Sequence, residues 1–492
     1  MSPEIALIVL AGYFGLLYAI SHWTNRGGND STQGFFVGGR SAPWWGVAIG
    51  MIGTSLSGVT FVSVPGDVGK LTAPDAETFR AMGYLQFVLG NFLGYLLIAF
   101  VLLPVYYRTR LTSIYSFLGE RLGWGAQRTG SFFFLVSRAL GSAARLYLGV
   151  KILQAVVLDQ WNVPFELAAL LTLAFILLYT RKGGLKTIIW TDVLQTLTLV
   201  GAAAIVFFVL ADRLGADSMQ QALTDGPFSQ LFFWDWQQPN FFFKQIVAGM
   251  LIALVMTGLD QDMMQKNLAC RSLKEARWNV QAYGAVLVVV NFLFVALGVL
   301  LYTYASQVGF VVPEQTDYLF PMLAQQELGM LVGMLVLLGL IASSYSSADG
   351  TLTALSTSIC IDWLNFEKQE ERPEQLKRMR RVHLYVTAGF GVLLLLFEYS
   401  ARLHLQSFNM VTLVLTMAGY TYGPLLALFV RSWLKPGALQ GLWVAVVCGL
   451  APLLSFGLVL LLKEQGYAVG FELILINACI AYAGLLWVPK EK

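Results

Sequence analysis

Residues 43–66 read PWWGVAIGMIGTSLSGVTFVSVPG, an apolar stretch long enough to cross a bilayer yet interrupted at its middle. A crossing of about 30 Å takes about 20 helical residues. Gly53-Thr54-Ser55-Leu56-Ser57-Gly58-Val59-Thr60 sets two glycines and four hydroxyls into eight positions, and Pro65-Gly66 follow. Each interior glycine costs a helix about 1 kcal/mol, so the helix is weakened midway along the stretch. A broken helix frees backbone carbonyls that hold a cation and exposes helix ends that hold a polar solute. Close packing through small residues is the competing explanation.

The rest of the chain is of the same kind. Of 492 residues, 57% are hydrophobic and 12% charged, about half the charge of a soluble domain. Apolar blocks of crossing length recur throughout. Backbone groups in lipid must be satisfied within the segment, so the blocks are helices; the roughly ten-residue alternation of a membrane barrel is absent. Thirteen spans are expected, near 4–21, 43–65, 81–107, 129–157, 164–180, 187–212, 243–265, 278–306, 328–362, 382–399, 405–430, 438–462 and 472–488. The first is preceded by Glu4 and no basic residue, which reads as a true helix and not a signal peptide. With the N-terminus outside and the C-terminus in the cytoplasm, most of the 32 Lys and Arg fall on inner connections, as the positive-inside rule requires. Among them are Arg108 and Arg110, the turn Arg181 to Lys186, and Lys377, Arg378, Arg380 and Arg381. The connection 213–242 is external. Cys270, Cys360, Cys448 and Cys479 form no pair and no metal spacing, and read as inert core residues. His22 and His383 read as ordinary side chains near the inner surface, and His404 as external. No basic patch fits a nucleic acid, and no HExxH, P-loop, GxSxG or dinucleotide fingerprint argues for an enzyme.

Polar groups inside spans are costly and point to function. In Ala342-Ser343-Ser344-Tyr345-Ser346-Ser347-Ala348-Asp349-Gly350, the serines at 343, 346 and 347 share one helix face, and hydroxyl and carbonyl oxygens suit a hard cation such as sodium. Intramembrane charges form a further set: Asp192 after Trp190-Thr191, Asp260 and Asp262, and Arg138 and Arg145, seven apart on one helix. A central arginine costs at least about 3 kcal/mol on insertion scales, so it is either paired with an internal carboxylate or waits for an anionic substrate.

Phe35-Phe36-Val37-Gly38-Gly39-Arg40-Ser41, Gly183-Gly184-Leu185-Lys186 with Trp190-Thr191-Asp192-Val193-Leu194-Gln195, Asp260-Gln261 with Gln265-Lys266, and the serine face ending at Asp362 together resemble the sodium:solute symporter family over nearly the whole chain. The resemblance implies an all-α polytopic membrane protein with a LeuT-like core of two inverted five-helix repeats containing broken helices. The repeats would span about 43–212 and 243–430, joined by the external loop 213–242, with 1–42 (the first helix and an inner loop) before the core and two helices, 431–492, after it. It implies a main sodium site on the carbonyls of Gly53, Leu56 and Ser343 with the hydroxyls of Ser346 and Ser347. The resemblance to some members implies a second sodium site, which here would draw on Asp192, Ser346, Asp349 and Gly350; sialic acid members are similar to one another in carrying serines there, so Asp349 departs from their pattern, and its added carboxylate either strengthens a cation site or carries a proton instead. Ser55, Ser57, Thr60, Gln86, Asn91, Arg145, Asp260 and Gln261 are the implied solute contacts. Val88 stands where glucose-type members carry a glutamate, whereas Thr60, Gln86 and Arg145 are similar to the sialic acid members.

The expected function is therefore sodium-coupled import of a small polar solute by alternating access, with sialic acid or another anionic sugar ahead of neutral sugars, polyols, amino acids and other carboxylates. No cofactor is implied beyond sodium as coupling ion, and the chain is expected to work as a monomer in the bacterial inner membrane. A sodium-independent uniporter or channel is the alternative from another class; a sensor that has lost transport would carry a signalling domain, which this sequence does not suggest.

Overall fold

The computed structural model describes residues 3–25, 42–69, 80–109, 113–366, 373–403 and 410–491. The motif at Phe35–Ser41, together with Arg110 and His404, lies outside them. The described chain is helical almost throughout: α1 Pro3–Asn25, α2 Trp44–Ser55, α3 Gly58–Asp67, α4 Tyr84–Thr109, α5 Ser116–Leu122, α6 Trp124–Leu153, α7 Phe165–Leu214, α8 Ala216–Thr224, α9 Phe242–Gly258, α10 Gln261–Leu268, α11 Leu273–Val308, α12 Leu319–Gln326, α13 Met330–Trp363, α14 Pro373–Leu403, α15 Met410–Leu434, α16 Gly441–Glu464 and α17 Leu473–Leu485. Among the described residues nine helices are long and apolar enough to cross a membrane, and up to eleven if each bent pair is one span. Two shorter apolar helices, Phe165–Thr180 and Leu473–Leu485, occupy two more of the expected positions.

The interruption at 53–60 is a break. The backbone ladder of α2 ends where Leu56 N–H bonds to the Ile52 carbonyl, and α3 leaves at 57° to it. A second broken span, α9 and α10, bends by 64°. Both near halves are tied at one end, where Ala42 N–H donates to the Ala269 carbonyl at 3.2 Å. The turn expected at Arg181–Lys186 does not interrupt the helical backbone of α7, which continues over 50 residues. A straight helix of that length would reach about 75 Å, far beyond one bilayer core.

At the centre stands α13, buried at every residue from Gly339 to Ser358. Its hydroxyl-rich sequence tolerates that burial because the side chains bond back to carbonyls of the preceding turn, as Thr351 does to Ser347 at 2.7 Å and Ser356 to Leu352 at 2.6 Å. Glycines bring the broken helix against it: a Cβ on Gly58 would stand 2.3 Å from Ser344 Oγ. The periphery is apolar and open. Trp487 is 88% exposed and Val289 68%, a surface suited to lipid and far too apolar for water.

Two sequence expectations are corrected. His383 is not an interfacial side chain: it is buried, with Nε2 3.1 Å from Thr180 Oγ1 and Nδ1 3.0 Å from Ser356 Oγ. Cys270, Cys360 and Cys448 are buried and free, but Cys479 is exposed on α17 instead of lying in the core.

Candidate cation and solute site

The end of α2 faces the serine face of α13. A Cβ on Gly53 would lie 3.2 Å from Ser346 Oγ, 3.3 Å from the Asp192 carbonyl and only 2.2 Å from Thr196 Oγ1, so glycine is what lets this carbonyl-bearing helix end reach the serines. Carbonyls in the last turn of a helix have no further partner within it. Ser346 Oγ donates to Asp192 Oδ1 at 2.6 Å, which leaves its lone pairs free for a cation. Ser343 Oγ bonds to the Leu340 carbonyl at 2.8 Å, consistent with the expectation that Ser343 contributes a carbonyl and not its hydroxyl. Ser347 Oγ is buried with no hydrogen-bond partner among the described residues, although its own carbonyl accepts from Ser142 and Thr351. An unpaired buried hydroxyl costs about 1–3 kcal/mol; beside the helix end at Gly53–Leu56, a sodium ion would satisfy it. The five residues expected at the main site thus lie on the two facing elements.

Behind that site is a chain of buried charges. Lys266 Nζ donates to Asp192 Oδ2 at 2.8 Å, makes a short hydrogen bond to Thr54 Oγ1, and lies 3.6 Å from Asp262 Oδ1. Asp262 in turn takes a short hydrogen bond from Arg138, whose Nε is 3.8 Å from Asp260 Oδ2. Tyr422 donates to the same Asp260 oxygen at 2.7 Å. Asp349 stands apart: Oδ2 accepts from Tyr179 at 2.8 Å and Oδ1 from the Gly350 N–H at 2.6 Å.

On the other side of the break is a cavity of about 120 Å³ lined by residues including Thr54, Ser55, Ser57, Thr60, Asn91, Arg138, Arg145 and Tyr283. Ser55, Ser57, Thr60, Asn91 and Arg145 were implied as solute contacts, and the structure brings them together. Asn91 Oδ1 is buried without a partner. Ser55 Oγ lies 2.5 Å from Tyr283 OH. Arg145 is buried, and no carboxylate pairs with it among the described residues. The remaining three implied contacts do not line this cavity. Gln86 donates to the Asn240 carbonyl and accepts from Phe233 N–H, both at 3.1 Å, and so braces the connection 213–242. Asp260 caps α10 by accepting from the N–H groups of Asp262 and Met263. Gln261 Oε1 accepts from Ile114 N–H at 3.0 Å.

The two breaks therefore differ in a way the sequence did not announce. The N-terminus of α10 is capped by its own carboxylate, whereas Ser57 makes no side-chain cap to α3, and Ser57, Val59 and Thr60 line the cavity. Lys266, Thr54, Tyr283 and Tyr422 also escaped attention as site residues. Lys266 carried one usable signal, its place four residues after Asp262 on the same half-helix.

Comparison with known proteins agrees with this architecture. Residues 35–445 match the family model described as "Sodium:solute symporter family". The sodium/sialic acid symporter SiaT of Proteus mirabilis is 24% identical over 90% of this chain and 88% of its own. Sodium-coupled monocarboxylate transporter 1 of Mus musculus is 25% identical over 91% of this chain and 73% of its own. Among solved structures, the substrate-bound outward-open state of a Na+-coupled sialic acid symporter superposes with a TM-score of 0.77, at 20% identity and 99% coverage of both chains. This likeness shows the LeuT-type fold; the family and the relatives are transporters with sodium as coupling ion. The chain is an integral membrane protein and belongs to the sodium:solute symporter family.

Proposed function

We propose that this protein imports an anionic solute, a sialic acid or another anionic sugar, together with sodium bound by Gly53, Leu56, Ser343, Ser346 and Ser347. The observation that carries the anionic reading is Arg145: a buried guanidinium on the cavity wall that no carboxylate pairs among the described residues, while its neighbour Arg138 is ion-paired to Asp262. A buried charge without a partner is strongly unfavourable, and a substrate carboxylate would supply the partner in bidentate form. The uncapped N-terminus of α3 adds its positive end to the same cavity, with Ser57, Thr60 and Asn91 as polar contacts and Ser55 presented beside Tyr283. The names of both relatives above specify acids as cargo.

Sodium bridging α2 and α13 fixes the broken helix and so completes the solute pocket; separation of the two elements then loosens both cargoes toward the cytoplasm. The membrane frame is that of thirteen crossings, N-terminus outside and C-terminus inside, in two repeats at 43–212 and 243–430, working as a monomer in a bacterial inner membrane. The matched positions of the two breaks, each in the first helix of its repeat, support the repeat boundaries.

The test is uptake of labelled N-acetylneuraminate into proteoliposomes under an inward sodium gradient, with potassium as control. Sodium-driven uptake is expected, and Ser346→Ala/Ser347→Ala should abolish it. Sodium-driven uptake of a neutral solute instead would overturn the anionic reading. Solute flux indifferent to sodium and to both serines would favour a uniporter or channel.

A further inference from the structure

The four residues that the family resemblance offers for a second sodium ion are Asp192, Ser346, Asp349 and Gly350; two of them border an ammonium group of the protein itself, and a third holds the same carboxylate. Lys266 Nζ lies 2.8 Å from Asp192 Oδ2. The other oxygen of that carboxylate, Oδ1, is held by Ser346 Oγ at 2.6 Å. A Cβ on Gly350 would stand 3.1 Å from Nζ and 2.7 Å from Asp262 Oδ1, so the absence of a side chain there is what makes room for the lysine head. The fourth residue, Asp349, has both oxygens engaged by Tyr179 and the Gly350 N–H. Lys266 is buried and reaches this point from the near half of the second broken span.

We infer that Lys266 is a built-in cation that fills the place of a second coupling sodium, so that the transporter binds and moves one sodium per cycle. An ammonium carries the same unit charge as sodium and draws on the same hard oxygens. With Thr54, Asp192 and Asp262 around it, the lysine head stands against the carboxylate that a second sodium would use and balances its charge. The same side chain joins α10 to α2 and α7, so it holds the two broken spans together in the way a bound ion would. This rests on the sodium-symporter reading above and specifies its stoichiometry.

The experiment counts sodium directly, by equilibrium binding of radioactive sodium to the purified full-length chain in detergent, independently of any solute. Wild type is expected to bind one ion per chain, and Lys266→Arg, which keeps the internal cation, should do the same. Lys266→Gln combined with Asp262→Asn removes one charge of each sign, keeps Arg138 paired with Asp260, and frees Asp192; it should bind two. Should the double variant fail to fold, the wild-type count still decides. Two ions on wild type, or one on a folded double variant, would overturn the inference while leaving sodium symport intact. No sodium on wild type would overturn the symporter reading itself, and the inference with it.

Discussion

At the residue scale, the two intramembrane arginines show how position decides between structure and function. Arg138 and Arg145 share a helix and a face, yet the first meets Asp262 and Asp260 while the second lines the cavity with no carboxylate paired to it among the described residues. A hydrogen bond to a charged group contributes about 1.5–3 kcal/mol, which corresponds to roughly ten- to hundredfold in affinity. Arg145→Gln is therefore expected to raise the KM for the anionic solute by that factor with sodium affinity little changed, as read from initial uptake rates at varied solute and fixed sodium; an unchanged KM would place the anion elsewhere. Gly53 gives the complementary case. Its missing Cβ admits Thr196 Oγ1 and brings the helix end to Ser346. Gly53→Ala must push α2 away from α7 and α13, so sodium affinity should fall at least tenfold in the same binding measurement, even though alanine is the better helix former.

At the element scale, the broken spans are where local sequence and tertiary demand agree only in part. The first break could be read from Gly53, Gly58 and the hydroxyls between them, because those residues weaken a helix whatever surrounds them. The second break, at Leu259–Asp260, has no such run of glycines and hydroxyls, and the bend there is accompanied by a carboxylate that caps α10 and meets Arg138 from another helix. Patterning marked the apolar segments but could not show which side of each polar residue faces the cavity, so the resemblance alone offered Gln86 and Gln261 as solute contacts, whereas they hold the backbone at Phe233 and Ile114. Lys266 is not legible as a site residue from sequence alone, since its partner Asp192 lies 74 residues away. The cap makes a prediction of its own. Asp260→Asn retains an acceptor for the α10 N–H groups, whereas Asp260→Ala removes it, and such a cap contributes about 1 kcal/mol. The alanine variant should thus unfold about 1 °C below the asparagine variant in detergent, read by differential scanning calorimetry; equal midpoints would show that charge, not capping, is what this residue supplies.

At the scale of the whole molecule, the charge carried per cycle follows from the groups around the broken helices. An anion entering with one sodium moves no net charge, so the membrane potential does no work on the loaded carrier and accumulation is set by the sodium gradient alone. A tenfold sodium gradient then supports about tenfold accumulation, or about 1.4 kcal/mol. A second sodium would change this sharply, because one net charge crossing about 100 mV adds about 2.3 kcal/mol, close to a fiftyfold gain. Proteoliposomes with a fixed tenfold sodium gradient, clamped at zero or at about −100 mV inside by potassium and valinomycin, separate the two cases. Steady-state accumulation of the anion should be the same at both potentials for wild type, because Lys266 supplies the second positive charge without ever leaving the protein. The variant Lys266→Gln/Asp262→Asn should become voltage-driven, gaining up to about fiftyfold at the negative potential. Wild-type accumulation that already rises steeply with voltage would mean that two sodium ions travel with each anion and that the lysine is displaced during the cycle, moving the coupling from a fixed internal charge to a mobile one.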